Sequence, residues 1–126
     1  MWWRIPVGAV INVMCWIALC TLVIIPVRLV WPDYATAERA RDFTFEMMVM
    51  RLSISAIASL AGAWIAGLTL RDNRIVPLAG GLLMLAFFGP YHVSIWDQYP
   101  VWYHLTFLVS LPVLAWVGGR LAPAPE

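Results

Sequence analysis

The stretch IPVGAVINVMCWIALCTLVIIPV, residues 5–27, decides the fold, because it holds 23 residues without a charged side chain between Arg4 and Arg28. At about 1.5 Å per residue, a helix of this length crosses the hydrocarbon core of a bilayer, which is about 30 Å thick. The flanking arginines can extend to the two headgroup layers. The alternative, a signal peptide, has a shorter apolar region of about 7–15 residues. We therefore expect an uncleaved transmembrane helix.

The composition of the whole chain points the same way. Of its 126 residues, 63% are hydrophobic and 12% are charged, and the mean hydropathy is +0.82. Soluble domains are nearer 45–50% apolar and about 25% charged. Four spans of about 20 residues would use most of the apolar positions and leave no room for a soluble catalytic domain. The eight basic residues are all scattered arginines in a chain of net charge +1, which excludes nucleic acid as a partner.

The rest of the chain divides into three more apolar spans, a polar connection at 31–46 and a short tail at 122–126. The spans are predicted at 47–70, 75–95 and 101–117. The helical pattern from Asp33 to Leu70 has no break, and as one helix it would measure about 57 Å, so about half of it must lie outside the membrane or bend. The predicted fold is an all-α membrane protein: four transmembrane helices in an up-down bundle, with an interfacial or protruding helical extension before the second span.

The second span carries two rows of small residues at a spacing of four. One row is Ser55, Ser59, Ala63 and Gly67, and the other is Ala58, Gly62 and Ala66. Small side chains on one helix face let another membrane helix approach closely. We therefore expect contact with the lipid bilayer and lateral helix packing, either as an accessory or assembly subunit of a membrane complex or as a homo-oligomer.

Two histidines form the chain's main candidate cofactor site. His92 and His104 lie about five residues before and after the third connection, which predicts that they sit at similar depth on adjoining helices and face one another. One interpretation is a haem or metal site with a role in electron transfer. The other is an aromatic belt, in which the histidines hydrogen-bond to Asp97 or to carbonyls freed near Pro90.

Other polar and sulfur side chains allow further interpretations. Met47, Met48 and Met50 could ligate Cu(I), or simply fill gaps between helices. Asn12 predicts a hydrogen bond between helices.

Charged residues near the membrane surface offer a further alternative. Glu46, Arg51 and Asp97 are either interfacial anchors or parts of a polar path, with Arg51 reaching Asp97, Asp33 or a lipid phosphate. The polar path belongs to a third functional alternative, a small transporter with hinges at Gly89-Pro90 and Pro112.

Four spans place both termini on one side of the membrane. The short 71–74 turn shares that side and holds two arginines, which favours a cytoplasmic location in a bacterial inner membrane. The sequence contains no nucleophile paired with a base, no phosphate-binding glycine loop and no zinc-ligand spacing, so we do not expect an enzyme.

Overall fold

The computed structural model describes residues 2–124 and 126 and is helical over most of its length. The helices are α1 (Arg4–Val30), α2 (Pro32–Ala40), α3 (Phe45–Leu70), α4 (Ile75–Ser94), a 3₁₀ helix (Trp96–Gln98) and α5 (Val101–Leu121). Helices α1, α3, α4 and α5 are long and apolar enough to cross a membrane, and the described residues form no strand. The predicted all-α membrane fold is confirmed. Residue 125 of the predicted tail lies outside the described residues.

The prediction of one continuous helix from Asp33 to Leu70 is wrong. Arg41 adopts a left-handed conformation with φ of 54° and ends α2. The amide of Asp42 then donates to the carbonyl of Ala37 at 3.0 Å, which is the bond that closes a Schellman cap. Thr44 opens α3, because its hydroxyl accepts a hydrogen bond from the amide of Met47. The extension is therefore a separate helix, α2.

The turn between α3 and α4 repeats this arrangement. Arg71 is left-handed with φ of 50°, and the amide of Asp72 donates to the carbonyl of Gly67 at 3.0 Å. The carboxylate of Asp72 in turn accepts from the amides of Arg74 and Ile75, both at 2.9 Å. One Arg-Asp pair therefore caps the end of α3 and the beginning of α4.

The four long helices alternate in direction. Helices α1 and α5 stand at opposite corners of the bundle, and each contacts both α3 and α4. At one end, the side-chain amide of Asn73 donates to the carbonyl of Ala122, so the 71–74 turn lies beside the end of α5. At the other end, Arg41 donates to Gln98 at 3.2 Å. We call this second end, which carries α2 and residues 95–100, the α2 end.

Small residues let the helices approach closely in the centre of the bundle. The predicted packing positions Ser55, Ser59, Gly62, Ala63 and Gly67 are all buried within the chain. Asn12 of α1 lies against Gly62 of α3 and Gly80 of α4, and its Nδ2 donates to the carbonyl oxygen of Pro77 at 3.2 Å. The predicted interhelical bond of Asn12 is confirmed.

Candidate functional site

Arg51 is the central residue of the α2 end. It lies two turns into α3, and its guanidinium reaches three other segments of the chain. Nε donates to the hydroxyl of Tyr103 on α5 at 3.1 Å, and Nη1 donates to the hydroxyl of Tyr34 on α2 at 2.7 Å. The guanidinium carbon also stands 4.6 Å from the ring centroid of Phe43. Arg51 therefore fixes α2 and the 41–44 connection against the end of the bundle.

A carboxylate on α2 completes this cluster. Glu38 lies 2.7 Å from Nε of Arg28 and 3.5 Å from Nη1 of Arg51, and it accepts a hydrogen bond from the hydroxyl of Tyr34 at 2.9 Å. Partial burial alone raises the pKa of Glu38, but the hydrogen bonds from Arg28 and Tyr34 outweigh it and hold that pKa below its usual value. Glu38 is therefore ionised at neutral pH.

Tyr34 connects the carboxylate of Glu38 to the guanidinium of Arg51. Its side chain is fully buried, and burial raises its pKa to about 12 against the opposing effect of Arg51. The hydroxyl consequently keeps its proton, which it donates to Glu38 while its oxygen accepts from Arg51. The ring stacks on Phe43 with centroids 5.7 Å apart. These contacts give α2 a fixed position over the bundle.

A cavity of about 400 Å³ opens beside this cluster. Its charged lining consists of Arg28, Arg41, Arg51 and Glu38, which gives a net charge of +2. Its apolar lining descends along the face of α1 that carries Ile24, Cys20 and Trp16. The site thus combines a cationic opening with a deeper apolar part.

Two buried polar atoms on the cavity-lining residues have no hydrogen-bond partner in the described part of the chain. They are Nε1 of Trp16 and Oγ of Ser55. Ser55 itself is only 4% exposed. Buried donors without a partner are rare, because each one costs the free energy of its lost hydration.

The histidines form a separate pair next to the cavity. As predicted, they face one another: the two Nδ1 atoms of His92 and His104 are 2.7 Å apart. Nε2 of His104 lies 3.0 Å from the carbonyl oxygen of Trp96 and must donate to it. The belt interpretation predicted Asp97 or a carbonyl near Pro90 as the partner of the histidines, and this prediction is wrong. Both nitrogens of His104 are thus engaged, so the pair does not fit haem iron held between the two rings.

The remaining predicted site residues are dispersed. Glu46 and Asp97 are exposed. Arg51 contacts Glu38, so the predictions that it reaches Asp97 or Asp33 are wrong. Met47 and Met48 are buried among the helices. No group of three or more His, Cys, Asp or Glu residues in the described ranges is arranged to hold a metal ion.

Sequence reasoning missed most of this site. It treated Glu38 as one of several polar residues in the 31–46 connection and gave Tyr34 and Arg28 no partner. The spacing of four between Tyr34 and Glu38 places both on one face of α2, and this spacing was the available signal. Comparisons with family models, with curated proteins and with solved structures found no match for this chain.

Proposed function

We propose that this multi-pass membrane protein is a non-catalytic binding protein for an anionic ligand, which occupies the cavity at the α2 end. The observation that carries this proposal is the charge of the lining, where three arginines face a single carboxylate. In a partly desolvated cavity, such an excess of positive charge attracts an anion more strongly than the same charges do in water. A bound anion would neutralise part of the net charge of +2.

The preorganisation of Arg51 supports the same function. Its Nε and Nη1 are held by two tyrosine hydroxyls and Glu38, whereas Nη2 makes no hydrogen bond to the described residues. A guanidinium that is already fixed loses little conformational entropy when it binds. Its free N–H groups suit the oxygens of a phosphate or carboxylate.

An anion titration in a neutral maltoside detergent tests the proposal. We expect decyl phosphate to raise the unfolding temperature saturably and decyl maltoside, which shares its chain, to leave it unchanged. Ligand at about 100 times its Kd stabilises the folded state by about 2.7 kcal/mol. Arg51→Gln and the more peripheral Arg41→Gln should each weaken binding.

The matched control is Arg120→Gln. It removes the same charge at the opposite end of the bundle, where Arg120 lies over Trp116, and it should bind decyl phosphate like the wild type. Equal stabilisation of all four proteins, or none in the wild type, contradicts the proposal. Arg41→Gln keeps the test valid if Arg51→Gln does not fold, because within residues 2–124 the side chain of Arg41 makes only one hydrogen bond, to Gln98.

We also propose an orientation for the bundle. Two arginines in the 71–74 turn favour a bacterial inner membrane with this turn and both termini in the cytoplasm. The cavity then faces the opposite compartment. Labelling of single cysteines introduced at Asn73 and at Thr36 with a membrane-impermeant reagent tests this, after Cys15 and Cys20 are replaced. Labelling of position 73 in intact cells would reverse the orientation.

A second candidate function is that of an accessory or assembly subunit, or of a homo-oligomer. The small-residue rows do not favour this function, because they are buried inside the chain. The exposed surface of α1 favours it. In the most apolar 18 residues of α1 only 6% of the positions are buried, against 33–39% in the corresponding stretches of the other three long helices. The outward residues Val10 and Met14 are more than half exposed. A lateral partner would therefore contact α1.

Mass analysis after gentle solubilisation tests this second function. We expect a species heavier than the 14.2 kDa chain, which Val10→Trp with Met14→Trp reduces to the monomer. Ile57→Trp on the outward face of α3 is the control and should preserve the complex. A strictly monomeric wild type without a co-purifying protein argues against this function.

A further inference from the structure

The shape of the cavity restricts the class of anion that fits it. Its lining follows one face of α1 from Arg28 through Ile24 and Cys20 to Trp16, with residues four apart. Arg28 and Trp16 are twelve residues apart, which corresponds to about 18 Å along the helix. One leaflet of the hydrocarbon core is about 15 Å deep. The cavity therefore runs from the membrane surface through about the depth of one leaflet.

The polarity of the lining changes along this depth. The arginines surround the outer end, whereas Ile24, Ile54 and Phe107 line the inner part. A small inorganic anion would occupy the outer end and leave the apolar part unfilled. An amphiphile with one acyl chain below its anionic head fills both parts, because apolar surface is stabilised by apolar contact.

The unpartnered hydroxyl of Ser55 distinguishes one amphiphile from another. Ser55 follows Arg51 by one helical turn and so lies about 6 Å deeper in the membrane. Thr21 and Ser53 donate to the carbonyl four residues earlier, as hydroxyls in membrane helices commonly do, but Ser55 does not. Nε1 of Trp16, a donor only, also lacks an acceptor among the described residues. Trp16 lies about 18 Å below Arg28, however, so Ser55 is the donor that stands close below the arginines of the cavity.

We propose that the ligand is an anionic diacyl phospholipid. The phosphate binds Arg51 and Arg41, an ester carbonyl below it accepts from Ser55 Oγ, and one acyl chain lies along α1 as far as Trp16. In a phospholipid, the ester groups come directly after the phosphoglycerol, so an acceptor follows the anion as Ser55 follows Arg51. This proposal rests on the proposed anion-binding function and names its ligand.

Native mass spectrometry of the intact protein from neutral micelles tests the assignment. The probes are phosphatidylglycerol with ester-linked chains, its ether-linked analogue of the same chain length, and phosphatidylcholine. We expect one saturable site that prefers the ester form to the ether form by about three- to ten-fold, which corresponds to one neutral hydrogen bond. Phosphatidylcholine, which has no net charge, should bind more weakly.

The variants separate the two parts of the site. Ser55→Ala should reduce the preference for ester over ether while it retains the preference for phosphatidylglycerol over phosphatidylcholine. Arg41→Gln should do the reverse. Ser53→Ala is the matched control, because the hydroxyl of Ser53 donates to the carbonyl of Val49 in its own helix. This variant should behave like the wild type.

Each failure has its own meaning. Equal affinity of ester and ether lipids in the wild type overturns the phospholipid assignment, and the anion-binding function stands if decyl phosphate still binds. Unsaturable binding that no variant changes identifies ordinary boundary lipid and overturns the assignment as well. If neither decyl phosphate nor phosphatidylglycerol binds saturably, the anion-binding function itself fails.

Discussion

His92 donates a hydrogen bond from its Nδ1 to Nδ1 of His104, and this direction follows from the partner of the second ring. Trp96 offers a carbonyl oxygen that only accepts, so His104 must carry its proton on Nε2 and leave Nδ1 bare. The neutral rings therefore adopt opposite tautomers. This pair joins α4, α5 and the 3₁₀ helix at the α2 end.

The tautomers can be measured. In ¹⁵N spectra of histidine-labelled protein we expect His104 as the Nε2–H form and His92 as the Nδ1–H form. Replacement of His92 by Phe keeps the stacking on Phe107 but leaves a buried acceptor unsatisfied, at a cost of about 1–3 kcal/mol of unfolding free energy. An Nε2–H signature for both rings would contradict the hydrogen bond.

Two glycines with different surroundings test the packing of the bundle. A methyl group at Gly118 would overlap the carbonyl oxygen of Leu60, whereas at Gly89 no atom of the described residues, apart from its own stretch of helix, lies within 4 Å of the corresponding position. Gly118→Ala should lower the unfolding free energy by about 1–3 kcal/mol. Gly89→Ala should leave it unchanged or raise it by up to about 1 kcal/mol, because alanine favours helices. Unfolding in detergent measures both, and similar stabilities of the two variants would contradict the close contact of α3 with α5.

The docking of α2 on the bundle should weaken at low pH. Because the pKa of Glu38 is lower in the folded protein than its ordinary value of 4.5, its contribution to stability is complete above that value and is lost as the pH falls through the folded pKa. We therefore expect the amide protons of α2 to lose protection from exchange selectively below pH 4.5. Glu38→Gln should remove this pH dependence. A wild type whose α2 protection does not change over this range contradicts the role of Glu38.

The left-handed arginines predict a stabilising substitution. The positive φ of Arg71 is unfavourable for a residue with a Cβ atom, whereas glycine adopts it without steric strain. We expect Arg71→Gly to raise the unfolding free energy by about 1 kcal/mol in thermal unfolding. Arg71→Ala removes the same charge but keeps the unfavourable backbone conformation and should not be stabilising. Equal effects of the two substitutions would show that charge, and not backbone conformation, determines the result.

Much of the fold was predictable because membrane spans have a strong local signal. The uncharged stretch at 5–27 predicts the first membrane helix from its hydropathy alone. The polar residues 71–74 mark the turn that separates the second span from the third. The break at 41–44 was not predictable in the same way, because arginine rarely adopts the left-handed conformation that ends α2. Thr44 was the one local sign of a new helix.

The candidate site was only partly predictable, because its contacts join residues far apart in sequence. The meeting of His92 and His104 followed from their equal distances to one short connection. The contact of Arg51 with Tyr103 spans 52 residues and depends on how α3 lies against α5, for which periodicity gives no information. The small-residue rows predicted close packing but not whether the partner helix belonged to the same chain.

The bond between Asn12 and Pro77 has a consequence for biogenesis. Its two residues lie 65 positions apart, so the asparagine leaves the ribosome 65 residues before its acceptor does. At about 5–20 residues per second, that interval lasts roughly 3–13 seconds. During this time the newly inserted first helix holds a polar amide that is unsatisfied among the lipids or shielded by the insertion machinery. The insertion of α4 supplies the acceptor for Nδ2 of Asn12, so a ribosome stalled before residue 77 would leave an intermediate suited to recognition by membrane quality control.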